Sequence, residues 1–280
     1  MFSIIVLFSN DRIEYLRNSI ELFKQASEYY EAEKILLVDG KLLHNVDDFK
    51  IIEVERKTKY YCWADVINLG VQSSSNEIVF YFDCDRVVQK KYFEICMQIL
   101  QKESVFVYAT DLYQIKRNMN INELKLILTD VEKYKNDLCP DFRISDPFIL
   151  SRKNPFSGGV GFHKEEFLNA GGFSNEFKGW GYPDYDFFMK VYKKNSKLLR
   201  PIPLLELHQF HPYDKHKFEV CLHNIWNANK YIEKYQINEE ELEKILFRIN
   251  LKFGSNIKKN TIANSKDLDD FLYRCKKVSI

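Results

Sequence analysis

The sequence predicts an α/β protein with a Rossmann-like, mainly parallel central sheet flanked by helices and followed by a helical C-terminal extension. Three observations predict it. Over the first 110 residues, short runs of β-branched and aromatic residues alternate with stretches of helical periodicity. Polar or acidic residues close these runs at Ser9, Asp39 and Asp83, the end at which open parallel sheets gather ligands. From Lys215 onward the pattern is helical, with no further strand-like run.

Each element has its own warrant. Phe2 to Phe8 (FSIIVLF) is continuously apolar apart from Ser3, as a strand covered on both faces reads. The next stretch, 9–23, places Ile13, Leu16, Ile20 and Phe23 at helical spacing, and Asp11 followed by Glu14 has the form of a capping box. KILLVDG (34–40) and KIIEVE (50–55) are a second and third strand. WADVINLGVQSS (63–74) is a helix with Trp63, Val66, Ile67 and Val71 on or near one face. EIVFYF (77–82) is a fourth strand, KYFEICMQIL (91–100) a helix and SVFVYAT (104–110) a further strand. Residues 111–155 break the rhythm with one helix, INELKLILTDVEKY, and a turn-rich stretch holding Pro140, Pro147 and Pro155. Glycine turns then surround a short amphipathic helix in SGGVGFHKEEFLNAGGF. In the tail, INEEELEKILFRINLKF sets Leu242, Ile245, Leu246 and Ile249 on one side.

Composition narrows the classes of function. Apolar residues make up 45% of the 280, enough for a sizeable core and against disorder. A net charge of +1 gives no basic excess to attract nucleic acid or an anionic membrane. The apolar runs are too short to span a bilayer, so no integral membrane segment is expected. Met1 leads straight into a strand-like run without the features of a signal peptide. The six cysteines are scattered with no C-x-x-C, which reads as reduced thiols in a cytoplasmic protein.

Four stretches carry candidate chemistry. YFDCD puts Asp83 and Asp85 two apart at a strand end, where both project into one crevice and suit a divalent cation with a diphosphate. ELHQFHP holds His208 and His211, three apart, which would share one side of a helical turn but not of a flat strand. The glycine pair of SGGVGF, Gly158 and Gly159, permits close approach by a ligand or another backbone. GWGYPDYDF combines a bend, an aromatic plate in Trp180 that could floor a sugar, and the acids Asp184 and Asp186. Each has a plainer reading: a solvated acid pair, surface histidines, a simple turn, and a capped helix start.

Their order is more specific than any one of them. An acid pair closing the fourth strand, then SGG, then GWG with acids, then H-x-x-H resembles the GT-A fold glycosyltransferases. It is most similar to those with a galactosyltransferase-type C-terminal motif, such as the β-1,4-galactosyltransferases and bacterial chondroitin polymerase domains. The resemblance covers roughly residues 2–213. Its early part is the family-2 pattern of a nucleotide-binding Asp, an N-x-G in INLGVQSSS, and a strand ending in D-x-D.

The resemblance implies a role for each matching position. Asp39 would contact the uracil or ribose of the donor, and Asp83 would lie near the ribose and metal. Asn68, Gly158, Gly159 and Gly181 would complete the donor site. Asp85 would ligate the metal directly with His211, and His208 would stand where some relatives place a softer ligand. Trp180 and Tyr182 would line the acceptor site, with Asp184 as catalytic base and Asp186 as a helix-start acid. The chain departs from the usual GWG-x-Glu-Asp by carrying Pro183 in place of the glutamate.

The implied organisation is a glycosyltransferase domain, 1–215, with a nucleotide-binding half (1–110), an irregular insertion (111–155) and an acceptor and metal half (156–215), before a helical extension, 216–280. The implied reaction is inverting transfer of a hexose or N-acetylhexosamine from a UDP-sugar, with Mn2+ (or Mg2+). The acceptor would be a glycan, lipid-linked sugar or peptide, in surface polysaccharide synthesis. The protein would be cytoplasmic or peripheral at the inner membrane face. Two alternatives compete. One is a phosphatase of the haloacid dehalogenase type, which also places D-x-D after an apolar strand. The other is a non-catalytic module binding sugar nucleotides or glycans, supported by Pro183.

Overall fold

A computed structural model describes residues 1–55, 63–140, 158–177 and 183–211, together with 227, 230, 231 and 233–235. Its strands are β1 (Phe2–Phe8), β2 (Ala32–Asp39), β3 (Lys50–Val54), β4 (Ile78–Asp83), β5 (Arg86–Val88), β6 (Phe106–Ile115), β7 (Leu138–Pro140), β8 (Val160–His163) and β9 (Leu199–His208). Its helices are α1 (Ile13–Ala26), α2 (Trp63–Ser73), α3 (Tyr92–Leu100), α4 (Ile121–Thr129), α5 (Lys164–Asn169) and α6 (Pro183–Asn195).

The strands form one sheet in the order β3-β2-β1-β4-β8-β6-β9-β5, with β7 on β6. The first four are parallel neighbours, as the alternating pattern predicts. Beyond β4 the sheet is mixed: β8 is antiparallel to both β4 and β6, β6 and β9 are parallel, and β5 is antiparallel to β9.

Period-two alternation places the core on both sides. Phe2, Ile4, Val6 and Phe8 of β1, with Phe80 and Phe82 of β4, join Leu16 and Phe23 of α1 and Phe93, Cys96 and Met97 of α3 on one face. Ile5, Leu37, Val79 and Tyr81 point the other way, to Val66, Ile67 and Val71 of α2 and Phe187, Phe188 and Val191 of α6. Both faces of the central strands are therefore dry, which is why β1 reads as an almost unbroken apolar run.

Several details differ from expectation. The Asp11–Glu14 capping box is not made: Asn10–Arg12 form a 3-10 turn, and neither Ser9 nor Arg12 caps with its side chain. A true capping box occurs instead at α4, where Asn120 accepts from the Glu123 backbone and Glu123 reaches back to Asn120. The helix expected over 121–134 ends at Thr129 and resumes as a 3-10 turn, Glu132–Asp137.

Strands β8 and β9 carry no strand signal that the sequence reading recognised. β8 is only four residues long and follows a glycine pair. β9 contains Pro201 and Pro203, which cannot donate to a ladder. β5 pairs only with residues 206–208 of β9, so both prolines lie where, among the described residues, β6 alone pairs with the strand. The clearest helix of the tail, 237–253, lies outside the described residues.

Candidate active site

The site grows from the carboxyl ends of β1 and β4, which lie side by side with Leu7 opposite Asp83. After Asp83 the chain turns through Cys84 and Asp85, and the Cys84 N–H donates to Leu7 O at 3.0 Å. It then enters β5, where Arg86 pairs with His208 at the end of β9. This turn carries Asp85 off the strand line and beside the two histidines. The two acids take different hydrogen-bond partners, though both charges act on Arg12. Asp83 ends β4 and accepts from the Tyr81 hydroxyl at 2.8 Å, and Asp85 alone of the pair joins the cluster.

Around Asp85 Oδ2 stand His211 Nε2 at 3.3 Å, His208 Nε2 at 3.4 Å and Arg12 Nη1 at 2.5 Å. The two imidazole Nε2 atoms are 3.1 Å apart. The histidines converge without the helical turn that their spacing suggested. His208 is the last residue of β9 and the chain leaves the strand there, which frees His211 from strand alternation. Gln209 holds this corner. Its backbone N–H donates to Asp85 O at 2.9 Å, and its side-chain amide donates to Tyr15 O at 3.0 Å and Ser19 Oγ at 3.1 Å. Its oxygen accepts from Asn18 at 2.8 Å, and Ser19 in turn donates to Cys84 O at 2.8 Å. One amide thus fastens α1 to both ligand-bearing segments.

Asp85 is buried, and its Oδ1 has no hydrogen-bond partner among the described residues. Burial alone would push its carboxyl up. His208, His211 and Arg12 outweigh that and hold it well below the usual carboxylate range. For Arg12, burial would lower the guanidinium, and the charge of Asp85 reverses the sign and raises it. Asp85, His208 and His211 together are a group that can hold a metal ion, with their ligand atoms within 4.8 Å of one another. The residues fit a divalent cation: one oxygen of the buried Asp85 carboxylate faces two imidazole nitrogens, and the other has no hydrogen-bond partner among the described residues. Nitrogen donors beside a carboxylate suit Mn2+ better than Mg2+, which prefers an all-oxygen shell.

The other expected donor residues are placed as follows. Asp39 closes β2 and is buried. Asn68 lies on α2, and its amide bonds the backbone of Phe173 both ways, donating at 2.8 Å and accepting at 2.9 Å. It braces the turn before α6. Gly158 and Gly159 make room for the protein's own side chains. A Cβ on Gly158 would lie 2.4 Å from Glu206 Oε1, and one on Gly159 would lie 2.0 Å from Phe82 Cε1. The Gly159 N–H donates to both carboxylate oxygens of Glu206, which is fully buried beside Arg86. Gly159→Ala is expected to destabilise the fold by about 1–3 kcal/mol through overpacking, read as a drop in the urea midpoint.

Asp184 is half-buried in the first turn of α6, and Pro183 opens that helix, where a missing N–H costs nothing. Trp180, Gly181 and Tyr182 lie outside the described residues. Arg12 and Gln209 are the site residues that sequence reasoning missed. Arg12 follows the β1 end by four positions, and Gln209 sits between two candidate ligands, so both had a positional cue but no motif.

A parallel half-sheet with acids at its strand ends, closed by a mixed half that delivers two imidazoles, defines a GT-A glycosyltransferase. The chain belongs to glycosyl transferase family 2, whose model matches residues 3–157. A second model, described as the N-terminal domain of galactosyltransferase, matches residues 145–217.

Among curated relatives, a chondroitin synthase of Escherichia coli is 24% identical over 224 residues, 68% of this chain and 32% of that protein. Beta-1,4-galactosyltransferase 4 of Homo sapiens is 33% identical over 75 residues, 26% of this chain and 22% of that protein. The chain thus spans a third or less of the curated relatives it matches. Two solved structures share the fold. GalNAc-T7 with UDP, GalNAc and Mn2+ superposes with a TM-score of 0.58 at 12% identity, covering 94% of this chain and 57% of that one. S. aureus TarS 1-349 gives 0.57 at 13% identity, covering 99% and 79%. The fold and family leave the phosphatase alternative without support.

Proposed function

We propose that the protein is a metal-dependent, inverting glycosyltransferase. It moves a hexose or N-acetylhexosamine from a UDP-sugar to a hydroxyl of a glycan-type acceptor, in surface polysaccharide synthesis. The observation that carries this reading is the convergence of Asp85, His208 and His211 at the carboxyl ends of the strands of a family-2 fold. Neighbouring structures add support: GalNAc-T7 was solved with UDP, GalNAc and Mn2+, and TarS with UDP.

Asp85, His208 and His211 would hold Mn2+ (or Mg2+), which when bound offsets charge on the leaving diphosphate. Asp39 and Asp83, at the ends of the two strands that flank β1, would face the nucleoside. Arg12 adds a positive charge beside the same carboxylate. Asp184 accepts the proton of the attacking hydroxyl, which approaches the anomeric carbon from the face opposite the diphosphate and so inverts it. Trp180 and Tyr182 receive the acceptor, a glycan, lipid-linked sugar or peptide, and Gly181 lets their loop bend over the donor. Among the described residues no helix is long and apolar enough to cross a membrane. A cytoplasmic enzyme, or one peripheral at the inner membrane face, fits the proposed role.

The test is UDP release from UDP-galactose, UDP-glucose and their N-acetylhexosamine counterparts. At least one donor is expected to be hydrolysed with Mn2+, to stop reacting in excess chelator and to recover best on adding manganese. Better recovery with calcium would count against the histidines as ligands. Silence with every donor would overturn the reading.

A further inference from the structure

Asp186 is buried with a fully inaccessible side chain, two positions after Asp184 on the first turn of α6. A carboxylate removed from water is costly unless donors surround it. Its partner on the same helix makes an ion pair: Lys190 Nζ, one turn along α6, lies 3.2 Å from Oδ2, which has no hydrogen-bond donor among the described residues. The others come from the far end of the chain. The Tyr235 hydroxyl donates to Oδ1 at 2.7 Å and lies 3.2 Å from the Asp186 carbonyl oxygen, and Lys234 Nζ stands 2.8 Å from Oδ1.

The same groups reach the turn that precedes residues 178–182. Lys234 also pairs with Glu176 at 3.2 Å and lies 5.7 Å above the Phe177 ring, and Lys190 donates to Gly172 O at 3.0 Å. One carboxylate therefore ties together the residues on either side of 178–182. The C-terminal partner is itself anchored. Tyr231 is buried and packs on the Tyr235 ring at 4.9 Å, and Lys193 of α6 lies 4.7 Å from the centre of that ring. Burial, and then the bond to Asp186, raise the Tyr235 phenol well above its ordinary value, so it remains a donor at any working pH.

We propose that Tyr235 and Lys234 are positioning residues for sugar transfer, acting through Asp186 to fix the start of α6 and with it the carboxylate of Asp184. This rests on the reading of Asp184 as the base. A base displaced by about 1 Å loses on the order of a hundredfold in rate, so a tether on this turn controls the chemistry without touching either sugar.

The experiment uses the full chain, the donor that the UDP-sugar panel selects, and three readouts: kcat for donor hydrolysis, the Kd of UDP with Mn2+ by calorimetry, and Tm. Tyr235→Phe keeps the ring and its packing and removes only the donor. Together with Lys234→Met it is expected to lower kcat by roughly tenfold to a hundredfold, with the nucleotide Kd held within about twofold. Tyr235→Phe alone is read if the double variant fails to fold. Lys234→Arg is expected to retain most of the rate. The proposal is overturned if kcat stays within about twofold of wild type, or if nucleotide affinity falls in step with kcat, the mark of general loosening. Asp184→Asn is measured in parallel. If it hydrolyses donor at the wild-type rate, the base assignment fails and the tether fails with it. If it is inactive while Tyr235→Phe is unaffected, only the tether fails.

Discussion

Asp85→Asn is expected to lower turnover at least about a thousandfold and to abolish binding of manganese. The substitution keeps the shape of the side chain and removes its charge. Asp85 is the sole carboxylate of the candidate trio, and its Oδ1 has no partner among the described residues. A cation at a phosphoryl oxygen supplies several kcal/mol of charge stabilisation, and each 1.36 kcal/mol is worth about tenfold in rate. Manganese binding by electron paramagnetic resonance and donor hydrolysis should therefore fail together. His211→Ala leaves the carboxylate in place and should weaken the metal less. If Asp85→Asn bound manganese as wild type does, the trio would not be the metal site.

Asp184→Asn is expected to reduce turnover by about a hundredfold to ten-thousandfold, the range of general-base contributions, while UDP affinity is retained. Asparagine matches the shape and cannot take the proton. Asp184 lies on α6, which packs by Phe187, Phe188 and Val191 into the core, so the exchange leaves the helix seated. Calorimetry with UDP and Mn2+, set against hydrolysis rates, separates the two effects. A variant with unchanged turnover would return the protein to the alternative of a binding module.

The first half of the fold was legible because its strands are covered on both faces and its helices amphipathic. The runs at 2–8, 34–40, 50–55 and 77–82 map onto β1 to β4 within two residues at each end. In the second half the helices α4 and α5 were legible, and the strands β8 and β9 were not. β9 has prolines where β5 does not pair with it, and β8 is short. Both take their strand character from neighbours distant in sequence. Asp85 and the histidines were visible as residue types at suggestive spacing, and the geometry behind them was misread. They meet because a tight turn diverts Asp85 and because the chain leaves β9 at His208. Arg12 and Gln209 belong to no pattern, since their roles depend on α1 lying against that corner. The glycines of SGG show close packing within the protein. A motif suited to a ligand is, at Gly158 and Gly159, fitted closely to Glu206 and Phe82.

The three candidate ligand side chains stand at positions 85, 208 and 211, so the cluster cannot assemble until the strand ending at His208 has docked beside β6. A ribosome-bound fragment lacking that strand would present the acidic turn without its imidazoles. An ion held by all three side chains, as proposed, would then report that the sheet is complete.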